Sequence, residues 1–324
     1  MATACDNEAP VCPEGPAIPV SCQQPGNNEK IAIKLDGVAK TLLIPLIARV
    51  YDNTLPLPIL GDPYAKDVLE KIEFDADAMS MTPLQNGGLC LRTSQFDRWA
   101  AAFLQDNANT TVLHLACGFD SRMQRIEWGE TTRWIDVDLP EVIELRRKIQ
   151  PVSLPGRDYS LIGVDVLDEN WVHEIGDVSG PVLVIMEGLL SYLPEKDARG
   201  LLQRICQTFS EGEMMFEGVS SAALKRINQP ETIKAVSDTG AVFQSTIDDP
   251  MALEDLHPHL QLAESVPVVQ APGTEKLPLL GRMLMYFASW FPSGRDSARL
   301  LRFQFGEARA LGASTTMTQV ERVG

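Results

Sequence analysis

Positive charge is in short supply. Lysine and arginine number 28 against 44 aspartates and glutamates, a net charge of −16 over 324 residues. Neutralising a phosphate backbone needs a basic footprint, so this balance excludes a general nucleic-acid binder. The same deficit argues against attraction to an anionic membrane surface. Long apolar runs are missing too. The stretch VLVIM (182–186) is among the longest, far below the ~20 residues of a membrane span. The opening MATACDNEAP has neither the basic nor the apolar region of a secretory signal peptide,. Six cysteines (Cys5, Cys12, Cys22, Cys90, Cys117, Cys206) form no C-x-x-C pair. Zinc and thioredoxin-type readings therefore lack support, no metal is expected, and free thiols in a cytoplasmic protein are the expectation.

What is present is an ordinary globular composition, 44% hydrophobic and 22% charged. At about 150 residues per domain the length allows two domains, or one large α/β domain with insertions. Residues 1–28 hold Pro10, Pro13, Pro16, Pro19 and Pro25 and few large apolar groups. They read as a mobile arm that buries too little to offset its ordering entropy. Residues 307–324 read as a frayed tail. Residues 29–108 read as a helical cap. Within it one helix is expected over 30–52, kinked or divided by Pro45. A second is expected over 61–74 with Asp62 as cap and Pro63 at its first position. A third is expected over 94–107, its apolar residues at helical spacing and Ser94 as its cap.

From residue 110 the rhythm changes. TTVLHLA (110–116), TRWIDVD (132–138), YSLIGVD (159–165), PVLVIME (181–187) and EMMFEGV (213–219) are short apolar runs separated by helical stretches at 140–150, 168–175 and 194–209. This alternation predicts a parallel sheet covered on both faces. HLQLAESVPV (259–268) and SARLLRFQFGEA (297–308) are expected to close it as an antiparallel pair. Domain 109–306 is thus expected to carry a substrate-covering insert at about 221–296.

Ligands of such sheets bind beyond the carboxyl ends of the strands. An acid stands at or beyond each of four successive ends: Asp120, Asp138, Asp165 and Glu187. The first loop, Ala116-Cys117-Gly118, is tight, and Asp138 follows about 20 residues later, where an acid grips the ribose of an adenosine cofactor. Asp136 is the reserve choice. The loop lacks the glycines that cradle a pyrophosphate. A phosphate-free cofactor with positive charge, S-adenosylmethionine, suits an acidic site better than a dinucleotide.

These residues resemble the leucine carboxyl methyltransferase family, especially the small-molecule branch that includes polyketide carboxyl O-methyltransferases. The likeness rests on DGVAKTLLIPLIARVYD with LGDPYA (36–65), LRTSQFD (91–97), LACGFDSR (115–122), DVDLPEVIELRR (136–147), MEGLLSYL (186–193) and DDPMALEDLHPHL (248–260), in family order. It implies a class I methyltransferase fold: a doubly wound, mostly parallel sheet with an antiparallel last strand and an N-terminal helical region. It implies S-adenosyl-L-methionine as cofactor. Arg92 would clamp the methionine carboxylate and Ala116 and Gly118 would lie beneath the cofactor. Asp138 would take the ribose, Asp165 and Val166 the adenine edge, and Glu187 the ammonium. The loop departs from the family once, with Ala116 where glycine is usual.

The resemblance points to O-methylation of a hydrophobic small-molecule carboxylate or phenol in specialised metabolism. A protein carboxyl methyltransferase and a repurposed cofactor-binding protein are the alternatives. A carboxylate acceptor needs placement and no obligatory base, which is the expectation, whereas a phenol benefits from a base. Tyr192, past the fourth strand, could orient the acceptor oxygen. His257, in the LHPHL segment expected to cover the site, is the candidate base. His114 reads as a core residue. Residues 277–291 form an apolar helix, either a pocket wall or core. Oligomeric state is not readable.

Overall fold

The computed structural model describes residues 30–306 except Lys34, Asp36 and Pro230. The arm assigned to 1–28 and the tail assigned to 307–324 lie outside the described residues. Seven strands form the central sheet: β3 (Thr111–Leu115), β4 (Arg133–Asp138), β5 (Asp158–Gly163), β6 (Val182–Met186), β7 (Glu211–Val219), β8 (Gln261–Pro267) and β9 (Ala298–Gly306). Their order is β5-β4-β3-β6-β7-β9-β8. β3 to β7 run parallel, and β9 lies antiparallel between β7 and β8. This is the class I methyltransferase sheet, with chain order reversing between β3 and β6.

Every residue of β3 and β6 is buried, as a strand covered on both faces requires. Alternate side chains serve opposite layers. Leu113, Val184 and Met214 face one layer with Trp171, Leu201 and Ile205 from α6 (Trp171–Glu174) and α7 (Glu195–Thr208). Val112, Leu183 and Met215 face the other, against Leu91, Phe96, Trp99 and Phe103 of α3 (Pro83–Asp106). Between β4 and β5 runs α5 (Pro140–Ile149).

The N-terminal region departs from the helical expectation. Ile31–Ala32 (β1) pairs in parallel with Ile72–Glu73 (β2). A 3-10 turn follows at Gly37–Leu42, then α1 (Leu43–Asp52) and α2 (Ala65–Glu70). Pro45 therefore sits in the first turn of α1, where a missing N–H costs nothing, and does not divide it. Asp62 does not cap α2. It accepts from the Tyr64 N–H at 3.0 Å and pairs with Arg49 at 2.9 Å, both side chains buried. The cap of α3, Thr82, lies twelve residues before the expected one. Thr82 and Gln85 form a reciprocal capping box, and Ser94 lies mid-helix, buried.

The apolar helix of 277–291 appears as α10 (Leu279–Trp290). It does not wall the pocket, and of 277–291 Leu277 and Met285 reach the core. Only Met285 among its large side chains is buried, while Met283, Tyr286, Phe287 and Trp290 are exposed. Among the described residues, no helix is long and apolar enough to cross a membrane.

Candidate active site

At the carboxyl ends of β3 to β7 lies a cavity of about 500 Å³, large enough for a cofactor and a second ligand. Its floor is the loop after β3. Ala116 has φ +53°, and among the described residues it is the one non-glycine with positive φ. Gly118 follows at φ +48°, and a Cβ there would meet Leu42 Cβ at 3.2 Å. The left-handed turn strains any residue with a side chain, which is why glycine suits the Ala116 position. Arg146, buried in α5, donates to the carbonyls of Gly118 and Asp120 and fixes the loop from behind.

Asp138 ends β4 and lines the cavity. Its Oδ2 accepts from the Gly118 N–H at 2.7 Å and its Oδ1 from the Leu139 N–H at 2.8 Å. Burial raises its proton affinity against those two donors. Asp136, the reserve choice, is wholly buried and accepts from Arg146, Trp134 and Tyr159. It anchors α5 and does not line the cavity. Beyond β5, Asp165 is exposed with its Oδ1 on the Leu167 N–H, and Val166 is buried; both line the cavity.

Glu187, past β6, is hydrogen-bonded at both oxygens. Oε1 accepts from Arg92 Nε at 3.0 Å and Thr93 Oγ1 at 2.6 Å, and Oε2 accepts from Arg122 Nη2 at 2.6 Å. Burial opposes its charge, but Arg92 and Arg122 overcome that and hold the carboxyl down at about 2. Arg92, on α3, also reaches Glu217 Oε1 at 3.4 Å. Behind them Arg122 and Arg125 share Asp97 and Asp120. The Asp120 carboxylate is thereby spent on two arginines, although it edges the cavity. His114 is buried beside Asp136, 3.3 Å away, as a core histidine.

Seven predicted cofactor residues thus surround one cavity: Arg92, Ala116, Gly118, Asp138, Asp165, Val166 and Glu187. Tyr192 joins them, its ring stacked on Phe243 at 4.7 Å. Burial pushes its phenol up to about 12, so it is a poor base at neutral pH.

His257 does not join them. It precedes β8, whose Gln261 registers with Gln304 and, through it, with Glu213 near the start of β7. That is the amino end of the parallel strands, opposite the cavity. The LHPHL segment does not cover the site, and His257 is withdrawn as its base. Three features escaped the sequence reading. Glu217 lines the cavity from β7, and continuing the strand-end pattern to the fifth strand would have found it. Gly188, at φ +73°, would bring a Cβ to 3.7 Å from Arg92 Nη2. The outer wall is built by Val38, Leu42, Ile44 and Pro45 before and within α1, and by Ile227, Ile233, Val236 and Phe243.

The family model described as leucine carboxyl methyltransferase matches residues 43–206. The chain belongs to the leucine carboxyl methyltransferase family. It is 35% identical over 274 residues to the tetracenomycin polyketide synthesis O-methyltransferase of Streptomyces glaucescens, covering 84% of this chain and 98% of that one. It is 33% identical over 282 residues to an S-adenosyl-L-methionine-dependent methyltransferase of Gibberella zeae, covering 82% and 94%. Among solved structures, a DUF574 family protein from Streptomyces avermitilis superposes with a TM-score of 0.52 at 14% identity, covering 82% of this chain and 99% of that one. That likeness speaks for the fold alone.

Proposed function

We propose that this methyltransferase moves the methyl group of S-adenosylmethionine to an oxygen of a hydrophobic small molecule. The observation that carries the reading is Asp138. A carboxylate fixed by two backbone N–H groups, one from the left-handed Ala116–Gly118 loop, stands in the cavity with open lone pairs. The names of the two relatives agree with it.

The donor set fits the cofactor. Arg49 in the lining is paired with Asp62; otherwise the charged lining is acidic, with Arg92 set between Glu187 and Glu217. A ligand with a sulfonium, an ammonium and one carboxylate matches that balance. Asp138 would accept from the ribose hydroxyls, Asp165 and Val166 would take the adenine edge, and Gly118 would leave room beneath. Arg92 would turn its planar fork to the methionine carboxylate. Glu187, kept ionised by two arginines, would face the ammonium. When bound, the cofactor supplies an electrophilic methyl group on a positive sulfur. The protein's part is to hold the acceptor oxygen in line and to exclude water, which the apolar wall does. Tyr192, beside that wall, would orient the acceptor.

Calorimetry tests the reading. The purified chain should bind S-adenosylmethionine, and Asp138→Ala should lose about 1.5–3 kcal/mol of that affinity, the worth of a charged hydrogen-bonding group. Unchanged affinity in a folded Asp138→Ala variant would remove Asp138 from the site. Arg92→Lys should recover only part of what Arg92→Ala loses, since an ammonium lacks the bidentate fork.

A further inference from the structure

α10 is apolar on every side but buried on only one. Residues 279–291 carry a single charged side chain, Arg282. Leu277, Gly281 and Met285, at four-residue steps, seat the segment on the core. Leu277 and Met285 join the cluster of Leu91 and Trp99, and a Cβ at Gly281 would lie 3.6 Å from Leu84 Cδ1 of α3. The opposite side faces water. Among the described residues twelve large apolar side chains are exposed, and eight of them fall between Leu279 and Phe291. Each of the eight is 47–71% exposed. At ~150–250 Å² per large side chain, that leaves roughly 900 Å² of apolar surface in water. The largest apolar patch of an ordinary monomer is about 300–600 Å². A helix that is apolar all round belongs in an interior, with a second partner on its open side.

The spacing names that partner. The exposed side chains fall in two adjacent rows, one at 279, 283, 286 and 290 and the next at 280, 284 and 287, with Phe291 just past the helix. Steps of four, three and four residues are those of a helix–helix seam. The first row reads the same in either direction. Antiparallel pairing of two identical helices about a two-fold axis requires that property, because each residue must meet the same face it presents. We propose that this face is the interface of a homodimer, with α10 packed against α10 of a second copy. Its area matches the roughly 800 Å² per partner of a stable interface. Its composition, rich in aromatics and methionine and poor in charge, is that of an interface core.

Charge favours a second copy over other occupants. Two chains of net charge −16 repel each other, and they pair most readily through a face that carries little of that charge, as this one does,. A helix that lies on a membrane surface has lysines and arginines along its polar side. α10 has Arg282 alone, and its guanidinium turns to the Glu275 carbonyl at 3.5 Å. The chain's own segments 1–29 and 307–324 contain no aromatic residue and few large apolar ones, too little to cover a surface of this size. None of residues 279–291 lines the cavity at the strand ends, so pairing through α10 leaves that cavity open.

Sedimentation velocity of the full chain tests the proposal. At micromolar concentration the wild type should run at twice its chain mass of 35.6 kDa and dissociate on dilution. Trp290→Asp and Leu280→Glu, one in each row, should each weaken the dimer at least about 10²-fold, as for a buried anchor of an interface. Their far-ultraviolet circular dichroism should not change, because both side chains face water in the single chain. Met251→Glu, an equally exposed methionine in the 3-10 turn Pro250–Leu256 that packs on α7, should leave the dimer intact. Tryptophan fluorescence gives a readout that needs no charged variant. The other four tryptophans are buried, so the difference between wild type and Trp290→Phe isolates Trp290. Its emission should be shielded from acrylamide in the dimer and become open to it on dilution. A dimer that survives both charged variants would overturn the proposal by placing the interface elsewhere, and dissociation by Met251→Glu would do the same. A monomer at every concentration would overturn it as well. Shielding of Trp290 in that monomer would assign the face to the chain's own terminal segments, and shielding only on phosphatidylcholine vesicles would assign it to a membrane.

Discussion

Ala116 shows how one side chain can sit where physics prefers none. At φ +53° an alanine carries about 1 kcal/mol of strain that glycine would not,. Glycine gives back up to ~1 kcal/mol through the greater freedom of its unfolded chain. The two terms nearly cancel, so Ala116→Gly should leave the urea midpoint almost unchanged. Cofactor binding by calorimetry should be equal or tighter, because a methyl group leaves the floor of the cavity. A marked loss of affinity in a stable variant would mean that the alanine methyl touches the ligand. At this scale the sequence was informative where chemistry is local. An acid after each strand end and a tight loop were visible in LACGFDSR and WIDVDLP. His257 was misplaced because which end of the sheet a segment reaches depends on the path of a distant strand. Asp136 and Asp138 share a strand face by parity, and only the arginine arriving from α5 separates their roles.

The elements divide in the same way. The parallel strands were legible because burial on both faces makes them near-continuous apolar runs. β1 was not, since two residues pair with two others some forty positions away. The start of α3 was misread for a physical reason. Regular apolar spacing begins only near Phe96, while the first turns carry Gly87 and Gly88. Gly87 is there because a Cβ would lie 2.3 Å from Leu277 Cδ2. The true start was nevertheless written as Thr82-Pro83-Leu84-Gln85, a capping box with proline at the first helical position,. Thr82→Ala should therefore cost about 1 kcal/mol in urea unfolding. Cofactor affinity should be unaffected, because Arg92 lies more than two turns inside the helix, held by Glu187 and Glu217. A tenfold loss of affinity would show that the cap sets the position of Arg92 as well as the stability of α3.

Across the whole molecule, the N-terminal helices are joined to the strand ends by buried charge. Arg49 pairs with Asp62, and Arg122 and Arg125 pair with Asp97 and Asp120, with Glu187 at the centre. Such pairs stabilise only while the acids are ionised, and removing one partner of a buried pair is severely destabilising. Arginines hold Glu187 down at about 2 from its ordinary 4.5, and hold Asp120 and Asp136 below 3.8. Over that interval the unfolded chain binds more protons than the folded one, so stability rises with pH and falls as pH drops. The contribution is fully present above about 4.5 and is lost toward about 2. Glu217 and Asp138, whose proton affinity burial raises, act with the opposite sign, and they do so at higher pH. The urea midpoint should thus ease down gently as pH rises above 4.5 and fall steeply below it. Protonation also relieves the surface repulsion of a −16 chain, which works against the acid loss. That repulsion is screened at high salt, with a Debye length of ~3 Å at 1 M, whereas buried pairs are screened far less. Measured in 1 M sodium chloride, the fall below pH 4.5 should persist and steepen, and Glu187→Gln should flatten it while lowering stability at pH 7. A midpoint indifferent to pH between 5 and 2.5 at that salt would show that the buried arginine–carboxylate network does not carry the acid sensitivity of the fold.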